Sequence, residues 1–144
     1  DTVVGKREGR EVVTFTAVEK VTRNYIAIRI PGRNSAGVES AMEQLIELYG
    51  KDRFSQVFKT MTADNGPEFE TFSQYEKLGT KIYFTHPYSS WERPQNERHN
   101  GLFRDFIPKG TSMERLHSAV ACLAPVIEEH LPALQFIAHG IGRI

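Results

Sequence analysis

At 144 residues the chain has the length of one domain, and its composition, 40% hydrophobic and 25% charged, is that of a globular protein able to bury a proper core. Its single cysteine, Cys122, excludes a disulfide scaffold and a cysteine-rich zinc site, and suits a reduced, intracellular protein. A formal net charge of zero speaks against a dedicated basic nucleic-acid-binding module but leaves room for an enzyme acting on DNA, whose metal-binding carboxylates would lower the net charge.

Asp1 to Val4 reads as a short strand, and Gly5 to Gly9 as a polar turn. Val12 to Val18 alternates, with Val12, Thr14, Thr16 and Val18 on one face; its β-branched content predicts a strand. After a polar link, Tyr25 to Ile30 forms a third strand with Ile26, Ile28 and Ile30 in line. Three strands on short links predict an antiparallel meander. Pro31-Gly32-Arg33-Asn34 breaks the pattern. From Ser35 to Tyr49, Val38, Met42, Leu45, Ile46 and Tyr49 recur at helical spacing, and Gly50 is a natural stop.

Gln56 to Ala63 reads as a fourth strand, ended by Asp64-Asn65-Gly66. Pro67 suits the first turn of a helix carrying Phe69, Phe72 and Tyr75 as far as Gly79. Lys81 to Phe84 is a fifth strand, and His86 to Gln95 a loop. A helix from about Asn96 to Phe106 follows, stopped by Pro108-Lys109-Gly110. The tail from Thr111 has a helical pattern interrupted by Pro125 and Pro132. The expected architecture is therefore α/β: a five-stranded mixed sheet, three antiparallel strands and then parallel ones, flanked by helices. That order is the order of a ribonuclease-H-like fold. Residues 1–110 form its core and 111–144 a helical C-terminal extension of the same domain.

No apolar run approaches the ~18 residues of a membrane span. The Asp-Thr-Val-Val start has neither the basic flank nor the cleavage site of a signal peptide, and the missing initiator Met predicts a longer parent chain. A cytoplasmic protein is expected.

Asp64 stands at the carboxyl end of a strand, where open α/β sheets place ligands. Alone, Asp-Asn-Gly is a turn signal. Glu97 begins a helix on which Glu97, Asn100 and Arg104 share a face at i, i+3 and i+7. The gap from Asn65 to Asn96 spans one helix, one strand and one loop, enough to bring the two acids to one sheet edge. Phosphodiester chemistry has a use for such acids. Two divalent ions about 3.5–4 Å apart can activate the nucleophile and stabilise the leaving oxygen, and several carboxylates are needed to hold them. Arg104 and Lys109 are candidates for phosphate contact, and Trp91 and Tyr88 for stacking on an unpaired base, against surface charge and loop packing as the ordinary alternatives. His86, His99, His117, His130 and His139 show no zinc-type spacing, and Glu68 reads as a first-turn residue favoured by the helix dipole.

Thr62-Ala63-Asp64-Asn65-Gly66-Pro67-Glu68-Phe69 resembles the second-Asp motif of the IS30 family of bacterial insertion-sequence transposases. Pro87-Tyr88-Ser89-Ser90-Trp91-Glu92-Arg93, with Asn96-Glu97, Asn100-Gly101-Leu102 and Arg104, is similar to that family's third motif, and Phe106-Ile107-Pro108-Lys109-Gly110 continues it. Asp1-Thr2-Val3-Val4-Gly5 resembles the first. Three motifs in order are specific where one would not be. Pro94-Gln95 replaces the family's usual Gly-Thr, and the tail lacks its Asn-x-Arg-Pro-Arg segment.

The resemblance implies a ribonuclease-H-like integrase core that cuts and joins DNA with Mg²⁺ or Mn²⁺, two ions with DNA bound. It makes Asp1, Asp64 and Glu97 the catalytic, metal-binding carboxylates, with Glu92 a rival for the third place. Asn96, Asn100, Arg104, Lys109 and Trp91 become the DNA-contacting set. It further implies element-end and target DNA as partners, a dimer or higher multimer, a separate N-terminal DNA-binding domain, and association with the bacterial nucleoid. A nuclease of the same fold, or a degenerate remnant that binds DNA or self-associates, stays open at this point.

Overall fold

The computed structural model describes residues 1–5, 12–21, 24–92, 94–113, 119–123 and 136–138. The chain forms two compact units, one of Asp1–Pro31 with Arg93–Ile144 and the other of Gly32–Glu92.

The first unit is built on β1 (Thr2–Val4), β2 (Val13–Val18) and β3 (Tyr25–Ile30), the antiparallel meander its alternation predicts. Thr2 stands opposite Phe15, and Val18 opposite Tyr25. β2 is buried on both faces through Val13, Thr14, Phe15 and Thr16, so its two threonines need internal partners. Thr14 finds one in Met113, whose Sδ its hydroxyl meets at 3.0 Å. The helix α3 (Pro94–Phe106) lies against β2. Pro94 opens it, at a position where the missing N–H costs nothing. Val3, Tyr25, Ala27, Phe103, Ile107 and Met113 close the core between helix and sheet.

Two further strands complete this sheet, and they correct the expected one. β6 (Ala119–Leu123) pairs antiparallel with β3, and β7 (Phe136–Ala138) with β6, giving the order β1-β2-β3-β6-β7. The five strands are thus antiparallel throughout, and residues 119–123 and 136–138 of the tail are strand where the pattern predicts helix. An apolar run as short as Ala119–Leu123 does not distinguish the two by periodicity. The open edge of β3 offers such a run a backbone ladder. Residues 114–118, 124–135 and 139–144, with Pro125, Pro132, His117, His130 and His139, lie outside the described residues, as does most of the turn expected at Gly5 to Gly9.

In the second unit α1 (Ser35–Tyr49) has the bounds its stripe predicts, with Val38, Met42 and Leu45 buried. Asn34 caps it, its Oδ1 accepting from Gly37 N at 2.8 Å. The strand expected from Gln56 begins later. Phe54–Val57 is a short helix, α2, because Phe54 and Phe58 stack at i, i+4 with ring centroids 4.7 Å apart. β4 (Thr60–Ala63) and β5 (Lys81–Phe84) then pair in parallel, as a two-stranded sheet of their own and not as members of one mixed sheet.

The connection between them is 3₁₀ where an α-helix is expected, over Pro67–Phe69 and Phe72–Leu78. The aromatic spacing explains it. Phe69, Phe72 and Tyr75 recur every third residue, the period at which a 3₁₀ helix eclipses its side chains. Phe69 and Phe72 meet edge to face at 5.4 Å, and Phe72 and Tyr75 at 5.7 Å. Among the described residues no helix is long and apolar enough to cross a membrane.

Candidate metal and nucleic-acid site

In the first unit Asp1 is held by its neighbours on every side the strand offers. Its backbone carbonyl accepts from Thr16 N at 2.8 Å, and its Oδ1 accepts from Thr2 N at 2.7 Å. Its Oδ2 accepts from two amides of α3, Asn96 Nδ2 at 3.1 Å and Asn100 Nδ2 at 2.8 Å. One helical turn separates these asparagines, so they reach the same point. A further turn along, Arg104 Nη2 donates to the carbonyl of Val4. The polar stripe of α3 that meets β1 is therefore Asn96, Asn100 and Arg104.

Glu97 stands beside that stripe, exposed in the helix's first turn, where the dipole favours a negative charge. Burial lowers the pKa of Arg104, against a smaller upward effect from Tyr25. Lys109 is exposed.

Behind Asn100 lies Tyr25, fully buried, whose hydroxyl donates to Asn100 Oδ1 at 2.8 Å. His99 stacks on the Tyr25 ring at 5.7 Å, and its Nδ1 lies 2.8 Å from the carbonyl of Gln95. A carbonyl only accepts, so that nitrogen carries a proton. None of these contacts follows from a motif. A signal was nonetheless present: Asn96 and Asn100 share the face of α3 that carries Phe103, and an amide on a core face requires a partner.

In the second unit Asp64 follows β4 directly and is half-buried. Its Oδ1 accepts from Gly66 N at 3.3 Å, the contact of an Asx turn. Asn65 Nδ2 donates to the carbonyl of Thr85, and Thr85 N donates to that of Ala63 at 2.9 Å, so the turn is pinned to the end of β5. Glu68 is 2% exposed and accepts from Arg33 Nε at 2.7 Å. The expected first-turn role is correct in position, and burial makes Glu68 part of the turn's support.

The loop after β5 is closed by Glu92. Its Oε2 accepts from His86 N at 3.1 Å, and its Oε1 lies 2.8 Å from His86 Nδ1. Those hydrogen bonds, side chain first and backbone second, hold its carboxyl below the usual range. Glu92, the rival to Glu97, is thus committed to shaping the loop. Trp91 is 72% exposed and Tyr88 98% exposed, so neither ring anchors the loop by packing.

Within neither unit do three His, Cys, Asp or Glu side chains converge among the described residues. Of the expected carboxylates, Asp1 and Glu97 belong to the first unit and Asp64 to the second.

No family model matches the sequence. Several curated relatives do, three of which follow. The probable transposase for insertion-like sequence element IS1161 of Streptococcus salivarius is 38% identical over 81% of this chain and 32% of its own length. The transposase for insertion sequence element IS4351 of Bacteroides fragilis is 36% identical over 76% of the chain and 32% of its own length. Transposase InsI for insertion sequence element IS30A of Escherichia coli strain K12 is 33% identical over 68% of the chain and 25% of its own length. The chain spans a third or less of each relative.

Proposed function

Because the chain belongs to the IS30 family of insertion-sequence transposases, we propose that it supplies the catalytic core for DNA transposition, with Asp1, Asp64 and Glu97 as the metal-binding carboxylates. The core is ribonuclease-H-like over residues 1–110, with 111–144 as its extension. Support for that fold lies in the order of elements, an antiparallel meander, a helix, two parallel strands and a last helix. Element-end and target DNA are its partners. The full protein carries a separate DNA-binding domain and works as a dimer or higher multimer on paired ends.

The observation that carries this reading is the grip of α3 on Asp1. Asn96 and Asn100 bind its carboxylate from the turn of helix that bears Glu97. The first and third acidic motifs therefore meet within one unit. In the other unit Asp64 stands at the end of a strand, in a turn held by Asn65 and Glu68.

The donor set fits a hard divalent cation such as Mg²⁺ or Mn²⁺, since it consists of carboxylate oxygens. Two such ions would supply activation of the attacking oxygen and stabilisation of the leaving one. The protein's part is to hold the acids in place. In the first reaction water attacks the element-end phosphorus, the P–O3′ bond breaks, and a 3′-hydroxyl is released. In the second that hydroxyl attacks a target phosphorus and displaces the target's own 3′-oxygen, which leaves as a hydroxyl. Neither step needs a covalent enzyme intermediate, so catalysis rests on positioning and electrostatics.

A strand-transfer assay with the full-length protein and labelled element-end DNA tests this. Joined products should require Mg²⁺ or Mn²⁺ and vanish with Asp64→Asn. Full joining by that variant overturns the assignment, and products of hydrolysis alone identify a nuclease instead.

A further inference from the structure

We infer that Tyr25 is a positioning residue for Asp1, acting through the side-chain amide of Asn100. The inference rests on the proposed role of Asp1 as a metal-binding carboxylate. It extends that role to a buried residue outside all three acidic motifs.

The chain of contacts is short and directional. The Tyr25 hydroxyl donates to Asn100 Oδ1 at 2.8 Å, and Asn100 Nδ2 donates to Asp1 Oδ2 at 2.8 Å. An asparagine amide is nearly symmetric in shape, so packing alone does not decide which end faces the carboxylate. Chemistry decides it. The Asp1 carboxylate only accepts, so the nitrogen faces it, and the Tyr25 hydroxyl then donates to the oxygen and fixes the amide at its other end. Without that hydroxyl, Oδ1 loses this donor and the amide is fixed less firmly against the Asp1 carboxylate.

Packing does not account for the hydroxyl. Tyr25 is fully buried, against Phe103 at 6.3 Å and His99 at 5.7 Å, and a phenylalanine ring would fill the same space. A hydroxyl in such a place costs free energy unless it is bonded. Burial also pushes the phenol's pKa far above its ordinary value, against smaller lowering by a hydrogen bond from Thr16 and the charge of Arg104. The group therefore remains a donor at every working pH. Asn96 supplies the second amide on Asp1 Oδ2 at 3.1 Å, so loss of the Tyr25 hydroxyl weakens the clamp without abolishing it.

Partners that orient a ligand from behind typically change metal affinity by about 10–100-fold when removed. The test is a manganese-ion titration of the full-length protein, read by electron paramagnetic resonance, for wild type, Tyr25→Phe, Asn100→Ala, the double variant and Asp1→Asn. Thermal melting by circular dichroism accompanies each titration, and the Mg²⁺ concentration for half-maximal strand cleavage gives a second readout. Tyr25→Phe should weaken Mn²⁺ binding about tenfold or more and raise the Mg²⁺ requirement to match. The double variant should bind no more weakly than Asn100→Ala, because both changes break one path.

If Asp1→Asn loses Mn²⁺ binding while Tyr25→Phe binds as wild type, the inference is wrong and the metal assignment stands. Independent, additive losses in the double variant also overturn it. If Asp1→Asn itself binds Mn²⁺ as wild type, the metal assignment fails first. Should Tyr25→Phe not fold, Asn100→Ala carries the test alone, with wild-type affinity in that variant overturning the inference.

Discussion

Arg33 holds the buried carboxylate of Glu68, its Nε donating to Oε1 at 2.7 Å, with 53% of the arginine side chain exposed and only 1% of the glutamate's. The two residues come from separate breaker segments, Arg33 from the turn before α1 and Glu68 from the 3₁₀ turn after Asp64. Ser35 Oγ adds a contact to the carbonyl of Pro67 at 3.3 Å. The head of α1 thus braces the Asp64 turn. Arg33→Met removes the charged donor and leaves Glu68 buried, at a cost of about 1–3 kcal/mol. Urea unfolding should show that loss, and Arg33→Lys should restore only part of it, because an ammonium does not reproduce the guanidinium's planar geometry. An unchanged midpoint for Arg33→Met would mean that the pair braces nothing.

Gly66 is constrained by the same carboxylate. A Cβ built there would lie 2.5 Å from Glu68 Oε2 and 2.8 Å from its Cδ. The backbone of Gly66, at φ −66°, is open to any residue, so the objection to a side chain is contact alone. Glu68 is buried and paired, and it cannot swing aside freely. Gly66→Ala should cost roughly 1–3 kcal/mol, as overpacking does elsewhere. A double-mutant cycle separates this from a general loop effect. In a Glu68→Ala background the alanine at 66 should cost much less, and equal costs in both backgrounds would refute the clash.

Glu92 gives the His86–Glu92 loop a dependence on acid. Its folded pKa lies below the ordinary carboxylate value because His86 donates to it from side chain and backbone. A depressed carboxylate contributes stability that is present above its unfolded pKa and lost as pH falls through its folded pKa. The loop should therefore loosen in acid, below the usual carboxylate range, and keep its form around neutrality. A carboxyl-carbon NMR titration should find Glu92 depressed in the wild type and moved part of the way back toward the ordinary value in His86→Ala, which loses the ring donor but keeps the backbone N–H. An equally depressed Glu92 in that variant would assign the effect to some other group.

Much of this is legible in the amino-acid sequence. Strand β3, helix α1 and strand β5 have the bounds that their periodicity predicts, since each carries an uninterrupted apolar pattern. Where the expectation failed, a different contact prevailed. Phe54 and Phe58 draw the start of the expected fourth strand into a helical turn, and aromatics at every third residue select 3₁₀ over α. β6 pairs with a sheet edge far back in the chain, and a single sequence does not mark which edge will be open.

At the site, motifs point to Asp1, Asp64 and Glu97, but say nothing of what holds them. Asn96 and Asn100 belong to the expected DNA-contacting set, and in the folded chain both amides are turned onto Asp1. Tyr25 carries no motif, and its pattern marks only a strand residue. Its part depends on a partner 75 positions away, visible only once the helix lies on the sheet.

Tyr88 is in the left-handed region at φ 61° and is 98% exposed, so its ring returns no packing energy for that conformation. An L-residue there costs roughly 1–2 kcal/mol, which glycine avoids at a backbone-entropy cost of about 0.5–1 kcal/mol. Two truncations therefore separate backbone from ring. Tyr88→Gly should be more stable than Tyr88→Ala by about 0.5–1 kcal/mol in urea unfolding, the difference left between those two terms. A strained, solvent-facing aromatic beside exposed Trp91 is also suited to stack on an unpaired base, worth about 1–3 kcal/mol per base. Both truncations should then weaken binding of the full-length protein to single-stranded-tipped element ends by about that amount, with Trp91→Ala doing the same. Fluorescence anisotropy on labelled DNA measures it, and wild-type affinity in all three variants would leave the loop without a part in DNA binding.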